Sequence, residues 1–231
     1  MGKRWLPLES NPDVISNYVV SLGGPKCLDF VDVYSCEQWA LDLVPLPVYA
    51  ILFLFPCTAV LERERDLESQ RIKVDGQYVS PKVWYTNQTI GNACGTIGIL
   101  HAVANIKDKV PCVKGGYFDR FFNLVESLDP SQRAQVLEND EELEASHATF
   151  ERQGQSRSPD RDEEIFLHFI TFIEKDGSIY ELDGRKAYPV NHGKTTDATF
   201  LKDTTTVIQK KFISHEPTDV HFSIIAICAK G

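Results

Sequence analysis

Cys94, His168, Asp183 and Gln88 are the residues of this chain whose types and spacing could carry covalent chemistry. Cys94 lies in Gln88-Thr89-Ile90-Gly91-Asn92-Ala93-Cys94-Gly95-Thr96, behind a glycine-bearing turn and six residues after a glutamine. Asn92 is placed to cap the helix that Thr96-Ile97-Gly98-Ile99-Leu100-His101-Ala102 continues, which puts Cys94 in the first turn. Unpaired backbone N–H groups and the positive end of the helix dipole favour a thiolate there, the nucleophilic form of cysteine.

Such a cysteine needs an imidazole within reach. His101 shares a helical face with Cys94, but seven residues at ~1.5 Å rise is about 10.5 Å along the axis, too far for proton transfer. His147, His192, His215 and His221 stand in polar or terminal contexts. His168 interrupts the otherwise apolar run Ile165-Phe166-Leu167-His168-Phe169-Ile170-Thr171-Phe172. Asp176-Gly177 is a two-residue hairpin signal, so Lys175 pairs with Ser178 and, counting back, Ile170 faces Asp183. His168 and Asp183 then lie diagonally on one face, roughly 7–8 Å apart at the backbone and within hydrogen-bonding reach. A one-residue slip would place them on opposite faces. The carboxylate would fix the ring tautomer and stabilise the imidazolium. Gln88, just upstream of the nucleophile's helix, can join the backbone N–H of Cys94 in stabilising an oxyanion.

Plainer readings compete. A buried cysteine is more often a small hydrophobe, and Cys27, Cys57 and Cys228 are read that way. A histidine in an apolar strand is more often a satisfied core residue. A Cys, His, Asp order also fits transferases and amidases, so spacing defines a reaction class without a substrate.

The elements that must position these residues are partly legible. Asn11-Pro12-Asp13 opens a helix to about Leu22, ended by Gly23-Gly24, and Asp129-Pro130 opens another through Leu137. Val48 to Phe55 has no polar member and reads as a strand covered on both faces. Leu61 to Arg71 is a charged helix, Tyr78 to Trp84 looks extended, and the Cys94 helix runs to about Asn105. From Leu143 to Glu164 the pattern decays, and residues 152–160, without an apolar member, are expected to form a mobile loop. The Ile165 to Ile173 strand and the Ser178 to Asp183 strand follow, then a helix from about Ala198 to Phe212 and a strand from Val220 to Ala229. No internal repeat is present. The mixture predicts an α/β fold with helices on both faces of a central sheet and at least one antiparallel hairpin.

With 231 residues and 42 % hydrophobic composition, one domain with a substantial core is the simplest reading. The net charge of −9 argues against nucleic acid and anionic membrane, which want basic faces. Six scattered cysteines without CxxC or zinc-finger spacing predict free thiols and no metal, and no cofactor is expected. The N-terminus shows no signal-peptide pattern, and the longest apolar run, Val44 to Cys57, is proline-broken and too short to span a bilayer. A reducing, cytoplasmic setting follows as the expectation.

The nonapeptide around Cys94, Leu167-His168-Phe169-Ile170 and Tyr180-Glu181-Leu182-Asp183-Gly184-Arg185-Lys186 closely resemble ubiquitin carboxyl-terminal hydrolases. Arg4-Trp5-Leu6-Pro7-Leu8-Glu9 and Val190-Asn191-His192-Gly193 also look like that family, so the similarity spans nearly the whole chain. The resemblance implies a papain-like thiol protease fold with a largely antiparallel sheet and a knotted backbone, an exception to the usual avoidance of knots. It implies Cys94 as nucleophile, His168 as general base and then acid, Asp183 as orienting carboxylate and Gln88 as oxyanion donor. By the same resemblance, residues from about Ser146 to Glu164 form a crossover loop over the active site. Ubiquitin would contact Pro7, Leu8, Glu9 and Asn11 on one side, and Val220, His221 and Phe222 on the other. The expected activity is hydrolysis after ubiquitin's C-terminal glycine, releasing small adducts or short peptides, by a monomer of the short, single-domain branch. Nedd8 is a second candidate substrate. The rivals are a ubiquitin-binding reservoir with low turnover and a general papain-like peptidase or acyltransferase. Trp84, Asn87 and Lys114-Gly115-Gly116-Tyr117-Phe118 depart from the family pattern.

Overall fold

The computed structural model describes residues 2–154 and 165–230. Its frame is a six-stranded sheet of β1 (Leu28–Asp32), β2 (Val48–Pro56), β3 (Leu167–Lys175), β4 (Ser178–Leu182), β5 (Val190–Lys194) and β6 (Ser223–Ala229). The spatial order is β1-β6-β2-β3-β4-β5 and every neighbouring pair is antiparallel. The helices are α1 (Pro12–Ser21), α2 (Gln38–Leu41), α3 (Ala59–Asp75), α4 (Cys94–Ile106), α5 (Tyr117–Leu124), α6 (Pro130–Glu138), α7 (Glu141–Phe150) and α8 (Phe200–Lys211).

The unbroken apolar run of β2 is explained by its place between β6 and β3, with a core on each face. Ala50 and Leu52 enter a core with Val19 of α1, Leu100 of α4, Phe118 of α5 and Leu143 of α7. Ile51, Phe53 and Phe55 enter a second core with Leu61 of α3 and Phe200 and Ile208 of α8. Helices therefore cover both faces, as the sequence pattern predicts.

Asn11 caps α1 by accepting from the Asp13 and Val14 N–H groups, and Asp129 caps α6 in a reciprocal capping box with Gln132. Two expectations are corrected. Tyr78 to Trp84 is not extended throughout but turns at Pro81-Lys82, with Val83 N–H on Ser80 O at 3.1 Å, and two of its other N–H groups go to side chains, Ser80 to the Tyr180 hydroxyl at 3.1 Å and Trp84 to Asn105 Oδ1 at 2.8 Å. The decay of pattern after Leu143 hides a helix, because α7 runs through Phe150 with Asp140 accepting from Leu143 N–H. Its inward face is Leu143, His147 and Phe150, and a core histidine is invisible to an apolar count. Residues 146–150 of the expected crossover loop are thus helical, while 155–164, including most of the expected mobile loop, lie outside the described residues.

The Lys114–Phe118 segment packs tightly against the end of α1. Val113 N–H and Phe118 N–H bond to the Gly23 and Leu22 carbonyls, so two backbones meet with no room for a side chain. A Cβ on Gly116 would stand 2.9 Å from Val113 O and 3.0 Å from Gly23 Cα. Gly116→Ala is expected to destabilise the fold by about 1–3 kcal/mol through overpacking. In urea this reads as a lower unfolding midpoint at unchanged slope; an unchanged midpoint would contradict the close approach.

Candidate active site

The hairpin that carries two of the predicted residues has the expected register. Asp176 and Gly177 both adopt left-handed backbone (φ 50 and φ 74), the geometry of a two-residue turn matched to strand twist. Lys175 pairs with Ser178 and Thr171 with Leu182, so Asp183 follows directly beyond the ladder on the face of His168. His168 Nε2 lies 2.7 Å from Asp183 Oδ1, and both side chains are buried. The second ring nitrogen, Nδ1, is left for Cys94.

Cys94 opens α4, but not by the predicted cap. The N-cap is Ala93, without a side-chain bond. Asn92 occupies the left-handed region (φ 59) and turns its amide to Trp5 O at 3.1 Å. Asn92 therefore makes the corner before the helix, a conformation asparagine tolerates better than most residues. The turn is clasped by the N-terminal segment through Gly91 N–H to Lys3 O and Trp5 N–H to Gly91 O, each at 2.9 Å. Helix α4 then lies close on β3, because a Cβ at Gly98 would stand 3.1 Å from Thr171 Oγ1. That hydroxyl donates to Gly98 O at 2.7 Å.

The electrostatics follow from this placement. Burial pushes the Cys94 thiol up, but a hydrogen bond and charge from His168, the Phe169 N–H and the Arg185 charge together bring it below its ordinary value. Burial works against a charged His168, yet the Asp183 carboxylate and Cys94 outweigh it and hold the imidazole above its ordinary pKa. Burial likewise opposes ionised Asp183; His168, Arg65 and the Arg185 N–H reverse this and keep the carboxyl well below the usual range. The three shifts run in one direction, each favouring the charged form: thiolate for Cys94, imidazolium for His168 and carboxylate for Asp183.

Gln88 stands at the start of the nucleophile's turn. Its N–H bonds to Gly184 O at 2.8 Å, tying it to the residue after Asp183. Its Nε2 donates one hydrogen to Ile90 O at 3.0 Å, and its Oε1 is buried without a hydrogen-bond partner among the described residues. A Cβ on Gly184 would stand 2.8 Å from Gln88 Cβ, so the glycine is what lets the two segments touch.

The other histidines sort clearly. His101 is fully buried, stacked on Tyr85 at 5.0 Å and bonded through Nε2 to Thr86 O; burial lowers its pKa to about 4 and keeps it neutral. His147, expected in a polar setting, is instead buried between Leu6 O at 2.7 Å and Thr96 Oγ1 at 2.8 Å. Among the described residues one group has metal-ligand types, Glu68, Glu181 and His192. Lys186 pairs with both of its carboxylates, Arg65 with Glu181 and Lys211 with Glu68, so the chain's own cations already balance its charge.

The two segments expected to meet a partner are joined by Ser10 Oγ and Ser223 Oγ at 2.8 Å. Leu8 is buried against Gly95, Pro7 and Glu9 are half-buried, and Asn11 is the α1 cap. Val220 and His221 are exposed, and Phe222 stacks on Phe53 at 6.0 Å. Arg65, whose guanidinium bonds to Asp183, escaped sequence reading altogether. Its one signal is the i, i+4 spacing from Leu61 on a charged helix, together with the i, i+2 spacing of Glu181 and Asp183.

Known proteins share this arrangement of sequence and fold. The chain is 40 % identical over 228 residues to a probable ubiquitin carboxyl-terminal hydrolase of Dictyostelium discoideum, covering 99 % of this chain and 89 % of that protein. It is 41 % identical over 222 residues to human ubiquitin carboxyl-terminal hydrolase isozyme L1, covering 96 % and 97 %. Its fold resembles the catalytic domain of Trichinella spiralis UCH37 bound to ubiquitin vinyl methyl ester, with a TM-score of 0.74 at 22 % identity, covering 98 % of this chain and 96 % of that one. The sequence pattern described as "Ubiquitin carboxyl-terminal hydrolase, family 1" matches residues 5–213, and the chain belongs to that family.

Proposed function

We propose that Cys94, His168, Asp183 and Gln88 carry out thiol-dependent hydrolysis of the bond after the C-terminal glycine of ubiquitin. The observation that carries this reading is the line from Cys94 through His168 to Asp183, with the nucleophile at a helix N-terminus. The Cys94 thiolate attacks the glycine carbonyl carbon. The oxyanion is met by a Gln88 Nε2–H and the Cys94 backbone N–H, which has no partner within the helix. His168 gives its proton to the leaving amine, and the thioester forms. His168 then takes a proton from water, the resulting hydroxide attacks the thioester, and Cys94 leaves as a thiolate. Asp183 holds the ring and balances its charge throughout.

Pro7, Glu9 and Asn11, anchored by buried Leu8, and Val220, His221 and Phe222 are proposed as the ubiquitin contacts; the Ser10–Ser223 bond supports treating them as one surface. All six cysteines are unpaired, which suits a reducing compartment, and a cytoplasmic, single-domain, monomeric enzyme is proposed. Among the described residues no helix is long and apolar enough to cross a membrane.

The test is turnover of a ubiquitin C-terminal fluorogenic amide. The unmodified chain should release the fluorophore, and Cys94→Ala should bind ubiquitin without release. Binding without turnover in the unmodified chain would make it a ubiquitin reservoir. Equal rates on unrelated short peptides would make it a general peptidase. A Nedd8 amide run alongside reads out modifier preference.

A further inference from the structure

Helix α3 buries only two of its side chains, Leu61 and Arg65. A buried arginine is costly unless its charge and N–H groups are matched. Here Nη1 donates to Glu181 Oε1 at 3.0 Å and Nη2 donates to Asp183 Oδ2. The two carboxylates sit at i and i+2 on one face of the β4 strand and its extension, so their spacing matches the divergent arms of one guanidinium. The plane of that group is set by two rings, Phe55 at 4.9 Å and Phe212 at 5.6 Å. Phe55 also meets the His168 ring edge-on at 5.8 Å. One aromatic side chain therefore packs on both the guanidinium and the imidazole.

Resting on the proposed roles of Cys94, His168 and Asp183, we propose that Arg65 is a positioning residue for the hydrolysis. Anchored by Glu181, its guanidinium holds Asp183 Oδ2 and thereby turns Oδ1 to His168. Glu181 is suited to be the anchor because it is itself immobilised. Its Oε1 also takes Lys186 at 3.0 Å, and its Oε2 takes His192 at 2.9 Å. Among the described residues, Asp183 Oδ1 is then shared between His168 at 2.7 Å and the Arg185 N–H at 2.9 Å. Arg65 does two separable things. Its fork fixes the carboxylate's rotation, and its charge shares the carboxylate's negative charge with His168.

Among the described residues, the titratable and charged groups that face the Asp183–His168 pair are Cys94 from α4, Arg65 from α3, and Glu181 and Arg185 from β4 and the turn after it. On the far side Tyr85 places its hydroxyl 2.6 Å from Asp183 O, and His101 is neutral. Of these, Arg65 is the cation whose side chain bonds the Asp183 carboxylate directly, so its removal has a predictable sign. With the guanidinium gone, Asp183 attracts the imidazolium more strongly, and His168 holds its proton to higher pH.

The experiment compares full-length Arg65→Met, Arg65→Lys and Glu181→Gln with the unmodified chain on the ubiquitin fluorogenic amide. Near-ultraviolet circular dichroism counts the folded fraction. Arg65→Met should lower kcat per folded molecule about 10- to 100-fold with KM nearly unchanged, and move the alkaline limb of kcat/KM upward. Arg65→Lys keeps the charge but not the fork, so kcat should fall while the limb stays in place. Glu181→Gln, which loosens the anchor, should lower kcat by a smaller factor. An unchanged kcat per folded molecule and unchanged pH profile in the folded variants would overturn the proposal and leave Arg65 a stabilising residue. If Arg65→Met does not fold, Arg65→Lys and Glu181→Gln decide by the same criteria. Turnover that persists in Cys94→Ala would instead overturn the parent reading, whatever Arg65 does.

Discussion

Replacing His168 by alanine should lower kcat/KM for the ubiquitin amide by about 10⁴- to 10⁶-fold while leaving ubiquitin binding intact. The size of the loss follows from what His168 supplies. It donates the hydrogen bond and charge that counter the burial of Cys94, and it is the imidazole paired with Asp183. Without it, burial is opposed by the Phe169 N–H and the Arg185 charge alone, so the thiol ionises at higher pH and the residual rate should rise with pH instead of passing through a maximum. Labelling by a ubiquitin-based electrophile, followed by intact mass, checks this at the nucleophile itself. A mild loss with the original pH profile would mean another group activates Cys94.

Asp183→Asn should cost about 10²- to 10⁴-fold, less than loss of the base, since the imidazole remains. The sign of its pH effect is fixed by geometry. Asp183 is what lifts the His168 pKa against the opposing effect of burial, so the neutral amide lets the imidazolium deprotonate sooner and the alkaline limb moves down. Arg65→Met moves that limb the other way, which separates the two charges acting on one ring. Stability responds too. Asp183 ionises more readily in the folded state, so its contribution is present above the unfolded value of about 3.9 and is lost as pH falls through the folded one. His168 is raised, so its contribution is present below about 6.5 and is lost as pH rises through its folded pKa. Asp183→Asn leaves one arm of Arg65 without its anionic partner, at a cost of up to about 3–5 kcal/mol at neutral pH. That difference from the unmodified chain should shrink on acidification below about pH 4, as thermal melting can show. A gap that widens with acid would contradict the assigned ionisation.

Much of this was open to reading in one dimension, for reasons that can be stated residue by residue. The pairing of His168 with Asp183 depends on a two-residue turn and the period of a strand, both set by neighbours in sequence. The α1 and α6 starts were legible because an N-cap acts on the next few N–H groups. Asn92 misled because asparagine serves equally as a cap and as a left-handed corner. The choice was made by Trp5 O, 87 residues away in the chain. Helix α7 was missed because His147 fills a core position, and its partners Leu6 and Thr96 come from distant segments.

The sequence alone therefore determined the family and marked Cys94, His168, Asp183 and Gln88 as the candidates for nucleophile, base, orienting carboxylate and oxyanion donor. Each of those rests on short-range spacing or on a dense run of residues. Only the tertiary structure decided that α4 presses onto β3 through Gly98, that Asn92 makes a corner, and that Arg65 reaches Asp183 across 118 residues of chain. A charged residue on a charged helix carries no local mark of burial. Its environment is made by carboxylates and rings that folding alone brings beside it.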